Sequence, residues 1–138
     1  MGTKNSLVGL TVVEIRDGLR NGDFTVGELV DDHIHAAELA KSLNGYITET
    51  PDLAKDMASR SDDKISRQEI GSLEGVPVAV KDLFCTKGIR TTAASKILGN
   101  FVPTYESRVT ENLWGAGAVL MGKANMDEFA MGSSNITS

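Results

Sequence analysis

Hydrophobic positions recur along this chain with two different periods, and the change comes near residue 75. In the first part, threonine-led segments open amphipathic helices. TVVE at 11–14 and TVGE at 25–28 each set a threonine three residues ahead of a glutamate. At that spacing each side chain satisfies the other residue's orphan backbone N–H. The first box predicts a helix that buries Val12, Ile15 and Leu19 and stops near Asn21-Gly22. The second predicts a longer helix with a 3.6-residue stripe of Val26, Leu29, Val30, Ile34, Ala37 and Ala40. Leu39 falls just off that stripe, and the helix is expected to end near Asn44-Gly45, where a glycine takes the left-handed conformation past a C-cap. Thr50-Pro51 opens a third helix, with Pro51 in the first-turn position that suits proline. Its run to Gln68 is highly charged and keeps Leu53, Met57 and Ile65 for packing, so it reads as a helix on the outside, fading into loop by Gly71.

From Gly75 onward short apolar runs alternate with Gly, Thr, Ser and Pro. Val76 to Val80 predict a buried strand, with Pro77 near its start, where a missing N–H is tolerated. Residues 86–106 read as a long loop with a short helical piece from Ala94 to Leu98. Ser107 caps a helix carrying Val109, Leu113 and Ala116, ended by Gly115-Ala116-Gly117, and Ala118 to Met121 predict a second buried strand. Strand, helix and strand in this order, with runs apolar on both faces, imply parallel pairing. The expected fold class is therefore α/β: a helical region over residues 1–70, then the first part of an α/β core over 71–138. Two strands fall short of the five or six of an ordinary sheet, so the sheet is expected to be incomplete in this chain. The tail GKANMDEFAMGSSNITS reads as polar and irregular.

Composition narrows the function classes. The chain has 138 residues, 41% hydrophobic and 24% charged, with a formal net charge of -5, and reads as a single domain. That charge argues against a general binder of nucleic acid or anionic membrane. The one cysteine, Cys85, cannot form an internal disulfide, and it reads as a small packing residue. His33 and His35 stand two apart on a helix, so they diverge and cannot share a metal. Nothing approaches the run of about 18 apolar residues that spans a bilayer, and MGTKNSLVGL does not read as a secretory signal. A cytoplasmic location is the expectation.

The sharpest chemical feature is VPVAVKDLF at 76–84, an apolar strand that runs straight into Lys81. An ammonium taken out of water costs several kcal/mol unless it is paired or gives up its proton. Two readings of Lys81 stay open on the residues alone. It snorkels to water or pairs with Asp82 or another acid, or it is held inward at the strand's C-terminal end, where α/β sheets keep their crevices, as a neutral base. Ser133-Ser134, in a glycine-serine loop without a G-x-S-x-G elbow, read as pocket lining rather than as nucleophiles. Asp127 and Glu128 read as cap or surface residues, and no phosphate-binding glycine motif is present.

GSLEGVPVAVKDLFCTKGIRTTAASKIL and GAGAVLMGKANMDEFAMGSSN closely resemble the amidase signature family. KANMDEFAMGSS is most similar to the glutamyl-tRNA(Gln) amidotransferase branch of it. The resemblance implies a Ser–cis-Ser–Lys triad whose lysine is Lys81, kept neutral by burial and hydrogen bonding. It places Met131, Gly132, Ser133 and Ser134 beside the amide substrate. It further implies glutamine as substrate, amidotransferase subunits B and C as partners, and ammonia delivered to Glu-tRNA(Gln). No cofactor is expected in this chain; ATP and Mg are expected on a partner subunit, which also makes the main tRNA contacts. Both family serines lie downstream of Ser138, so these 138 residues alone are expected to be inactive, and oligomeric when ordered. The alternatives are a general amidase of the same family and a non-enzymatic binding fragment.

Overall fold

The computed structural model describes residues 6–134 and 136. The chain folds as α1 (Val12–Asn21), α2 (Val26–Leu39), β1 (Tyr46–Glu49), α3 (Pro51–Ser66), β2 (Pro77–Lys81), α4 (Arg108–Gly115) and β3 (Val119–Ala124), with single 3-10 turns at Lys41–Leu43, Lys96–Leu98 and Glu128–Ala130. The three strands form one mixed sheet in the order β1-β3-β2. β2 runs parallel to β3, Val80 opposite Lys123 and Lys81 opposite Ala124, with an irregularity between Val78 and Ala79. β1 pairs antiparallel on the other side of β3. The α/β class and the parallel pair agree with the expectation from sequence.

Both capping boxes form: Thr11 and Glu14, like Thr25 and Glu28, exchange side-chain and backbone bonds. A second carboxylate helps α2, since Asp62 accepts from Val26 N and Gly27 N at 2.8 and 3.1 Å. The core sits between α1–α3 and the sheet, where Ile15, Leu19, Val26, Leu29, Val30, Ala54, Ala58, Val76, Val119 and Met121 form one buried cluster. At about 25 cal/mol per Å² of apolar area removed from water, such a cluster is the main stabilising element of this half.

The structure departs from the expected elements in several places. Val12 is 48% exposed, because α1 turns Ile15, Gly18 and Leu19 inward instead. Gly18 is needed there: a Cβ would come within 2.3 Å of the Phe24 ring. α2 stops at Leu39 rather than near residue 44, and Asn44 in the left-handed region (φ 49°) ends the following turn. Ala40, expected on the buried stripe, is exposed. α3 does not lie outside the fold; it buries Ala54, Ala58 and Ser61 and packs on α2 and β3. Small side chains permit that close approach. In α4 the buried residue is Thr110, while Val109 is exposed. β1 was not anticipated at all, and β3 runs on through Gly122, Lys123 and Ala124, into what reads in sequence as an irregular tail.

Glu74 locks the entry to the parallel strands. Its carboxylate accepts from Ser61 Oγ (2.7 Å) and Gly71 N (3.2 Å) and lies 3.6 Å from Lys64 Nζ. Gly117, at φ 92°, lies against it, and a Cβ there would sit 2.4 Å from Glu74 Oε2. Neither a side chain nor an ordinary backbone conformation fits at that position.

Candidate active site at the ends of the parallel strands

β2 and β3 end side by side, and side-chain alternation sends successive residues to opposite faces. Lys81 and Asp82 therefore part company. Lys81 is exposed, whereas Asp82 is 0% exposed. On the residues alone Lys81 either reaches water or pairs with an acid, or is buried as a neutral amine; in this chain it is exposed to water, as the first of these has it. β2 is an edge strand, and Ala79 and Lys81 are both exposed on it.

The buried lysine is Lys123, also 0% exposed. Its Nζ donates to Phe84 O (2.9 Å) and Thr91 Oγ1 (2.8 Å) and lies 3.4 Å from Asp82 Oδ1. Asp82 Oδ2 accepts from Thr92 N (2.9 Å) and Thr92 Oγ1 (2.5 Å). Burial pushes the Lys123 ammonium below the usual lysine range, and the carboxylate of Asp82 opposes that shift. A buried pair is held best where further hydrogen bonds satisfy both ions; here the two threonines and the Phe84 carbonyl supply them, except at Asp82 Oδ1, which has only the ion contact with Lys123. The backbone of Asp82 is tied as well: its N–H donates to Ala124 O at 3.1 Å, and its carbonyl accepts from Ala93 N at 2.9 Å. The residue that follows Lys81 is thus held through its backbone and through Oδ2, while Lys81 itself is exposed.

Lys123 is the residue that sequence reasoning missed, and the signal was available. AVLMGKA at 118–124 is the same kind of run as VPVAVKD, an apolar strand carrying one lysine, and the question put to Lys81 applies equally to it.

The Met131–Ser134 loop is exposed at all four residues. It folds back on Asp127, whose Oδ2 accepts from Ser134 N at 3.2 Å. Gly132 lies so close that a Cβ would meet Asp127 Cγ at 2.4 Å. Asp127 stands at the N-cap position of the Glu128–Ala130 turn and is buried there, and Glu128 is exposed, in line with the cap-or-surface reading, though its carboxylate also accepts from Ser95 Oγ. A cavity of about 730 Å³ opens at the same strand ends, lined among others by Tyr46, Arg90, Thr92, Ser95, Lys96 and Asn125. Its walls include neither Lys81 nor the Met131–Ser134 loop, so the structure does not bring those two predicted elements together around one cavity. Cys85 is half-buried, with Sγ 3.4 Å from the Tyr105 hydroxyl, and that contact raises the Tyr105 pKa. Among the described residues, no three His, Cys, Asp or Glu side chains are grouped to hold a metal ion, and no helix is long and apolar enough to cross a membrane.

Residues 28–138 match the Amidase family, and the chain belongs to that family. It is 57% identical over 132 residues to the A subunit of the glutamyl-tRNA(Gln) amidotransferase of Beijerinckia indica subsp. indica, covering 96% of this chain and 27% of that protein. The corresponding amidotransferase protein of Caulobacter vibrioides (strain NA1000 / CB15N) is 60% identical over 133 residues, again with 96% and 27% covered. Among solved structures, an amidase family protein from Bacillus anthracis str. Ames superposes with a TM-score of 0.81 at 28% identity, over 88% of this chain and 25% of that one. The chain therefore spans about a quarter of the length of the relatives it matches.

Proposed function

We propose that this amidase-family chain is the lysine-bearing part of a glutamine-hydrolysing amidotransferase subunit, with Lys81 as the base of a Ser–cis-Ser–Lys triad. The observation that carries the reading is the contrast at the strand ends. Asp82 is fixed by two backbone hydrogen bonds, two threonine bonds and Lys123, so that the neighbouring Lys81 projects from a rigid base at the site where α/β sheets keep their crevices. The high identity to amidotransferase A subunits supports the choice of glutamine over simple amides.

In the completed site a neutral Lys81 amine takes a proton, through the cis-peptide serine, from a second serine. That serine oxygen forms a bond to the amide carbon of glutamine, and the C–N bond breaks as ammonia leaves with a returned proton. Water then hydrolyses the acyl-enzyme to glutamate and regenerates the serine. Lys81 must be covered to stay neutral at pH 7, because burial disfavours the ammonium. In this reading that cover, like both serines, comes from family segments outside these 138 residues, and the 138 residues by themselves are inactive. The unpaired outer edge of β2 then makes the isolated chain prone to self-association. Met131, Gly132, Ser133 and Ser134 line the amide pocket. Ammonia passes to subunits B and C, where ATP and Mg act and the tRNA is held, in the cytoplasm.

The test is Lys81→Ala in a longer protein that carries this segment followed by the rest of an amidase domain, assayed with its partners for ammonia release from glutamine. Loss of about 10³-fold or more is expected for a general base that also activates the nucleophile. Retained ammonia release would remove Lys81 from the triad. A preference for aliphatic amides over glutamine would favour the general amidase.

A further inference from the structure

Of the six non-glycine residues at positive φ among those described, four form two adjacent pairs: Ala93 (φ 51°) with Ala94 (φ 57°), and Phe129 (φ 50°) with Ala130 (φ 59°). Such residues are uncommon outside glycine and persist only where the surroundings hold them. Here the two strained turns hold each other. Phe129 N donates to Ala93 O at 2.9 Å, and beside that bond Ser95 Oγ donates to Glu128 Oε1 at 2.6 Å. Ser95 is buried, and its Oγ also accepts from Ile97 N at 3.3 Å, so the hydroxyl is oriented before it meets the carboxylate.

Each turn is anchored at its far end to one of the two elements that the proposed function assigns to the site. On one side, Thr92 grips Asp82 through its backbone N–H and its hydroxyl, and Ala93 N donates to Asp82 O, immediately after Lys81. On the other, Ala130 N and Met131 N donate to the carbonyls of Asp127 and Glu128. The Asp127 carboxylate then receives Ser134 N across the close-set Gly132. A continuous path of bonds therefore runs from the end of β2, through residues 91–95, across the Ser95–Glu128 clasp, and into the Met131–Ser134 loop.

We infer that residues 91–95 and 127–130 form a brace that sets the Met131–Ser134 loop relative to Lys81, and that Ser95 and Glu128 are positioning residues for the amide substrate. This inference rests on the functional reading above for what the loop does, and on the structure alone for what holds it. Neither Ser95 nor Glu128 is given a role in bond making. The clasp is made by two side chains, so it can be removed without touching the backbone bonds.

The experiment uses the completed amidase protein with its partners and compares Ser95→Ala, Glu128→Gln, the double variant and Ser95→Thr. Loosening a positioned group by a fraction of an ångström to an ångström costs up to about 10²-fold. Each single variant is expected to raise the KM for glutamine about tenfold with a smaller change in kcat, a split that a merely structural loss would not produce. The double variant should be no worse than either single one, because both remove the same bond, and Ser95→Thr, which keeps the hydroxyl, should restore KM. Hydrogen exchange at the amides of Phe129 and Ser134 should quicken in Ser95→Ala. An unchanged KM, or losses that multiply in the double variant, would overturn the brace. Failure of the two ideas is separable. If Lys81→Ala stays active while exchange at Phe129 and Ser134 still quickens, the brace stands and the catalytic reading falls. If Lys81→Ala is dead and the clasp variants behave as the parent, the reverse holds.

Discussion

Around α2 the structure is closed by apolar contact: Val26, Leu29 and Val30 are all fully buried against α3 and the sheet. Around the ends of β2 and β3 the buried centre is instead a lysine, an aspartate and two threonines. The first region is non-directional, and its stability scales with area. The second is directional, because each ion is tolerated only while its partners hold it. The first region is therefore adaptable, and the second specifies positions. A protein that must present a single amine at a fixed place has use for the second kind of region beside that amine.

The comparison can be broken most sharply at Lys123. Lys123→Met leaves Asp82 buried without its counter-ion and is expected to destabilise the fold by about 3–5 kcal/mol, as breaking one side of a buried pair does. Lys123→Met combined with Asp82→Asn should recover much of that loss, which thermal or denaturant unfolding of the two variants would read. The pH dependence has a definite sign. Because burial lowers the Lys123 pKa in the folded state, the unfolded chain binds more protons between that lowered value and the ordinary lysine value near 10.4, so stability rises with pH across that window. The rise should be absent in the double variant, measured against the parent so that other alkaline groups cancel. Leu29→Ala, in the apolar region, is expected to cost about 2–5 kcal/mol, with no compensating second-site change of the paired kind. Lys81→Met should be the smallest, within about 0.5 kcal/mol, since Lys81 is exposed in this chain. A large loss of stability there would mean that Lys81 supports the fold rather than the chemistry.

How far these regions were legible in sequence follows from how local their causes are. Both capping boxes were readable, because donor and acceptor lie three residues apart. The Val26-Leu29-Val30 stripe was readable from its period. β1 was not: four residues, Tyr46 to Glu49, make too short a pattern, and their strand partner lies more than seventy residues downstream. The inward packing of α3 was hidden for a related reason. Its contact residues are Ala54, Ala58 and Ser61, whose small size looks neutral until a neighbour is close. In the site, Lys81 was singled out for sitting in an apolar run, yet the burial argued for it belongs to Lys123. Nothing in either run tells which lysine faces the sealed side of a sheet whose strand order is unknown.

The sequence by itself determined that this is an α/β chain with capped helices, a parallel pair of strands and a lysine at the end of one of them, because those features follow from periodicity and neighbouring residues. Tertiary structure decided which lysine is buried, which threonines receive Asp82, and that residues 91–95 join the end of β2 to the Met131–Ser134 loop. Those choices depend on contacts between residues ten to forty positions apart. Such contacts exist only once the strands have set which face is closed to water.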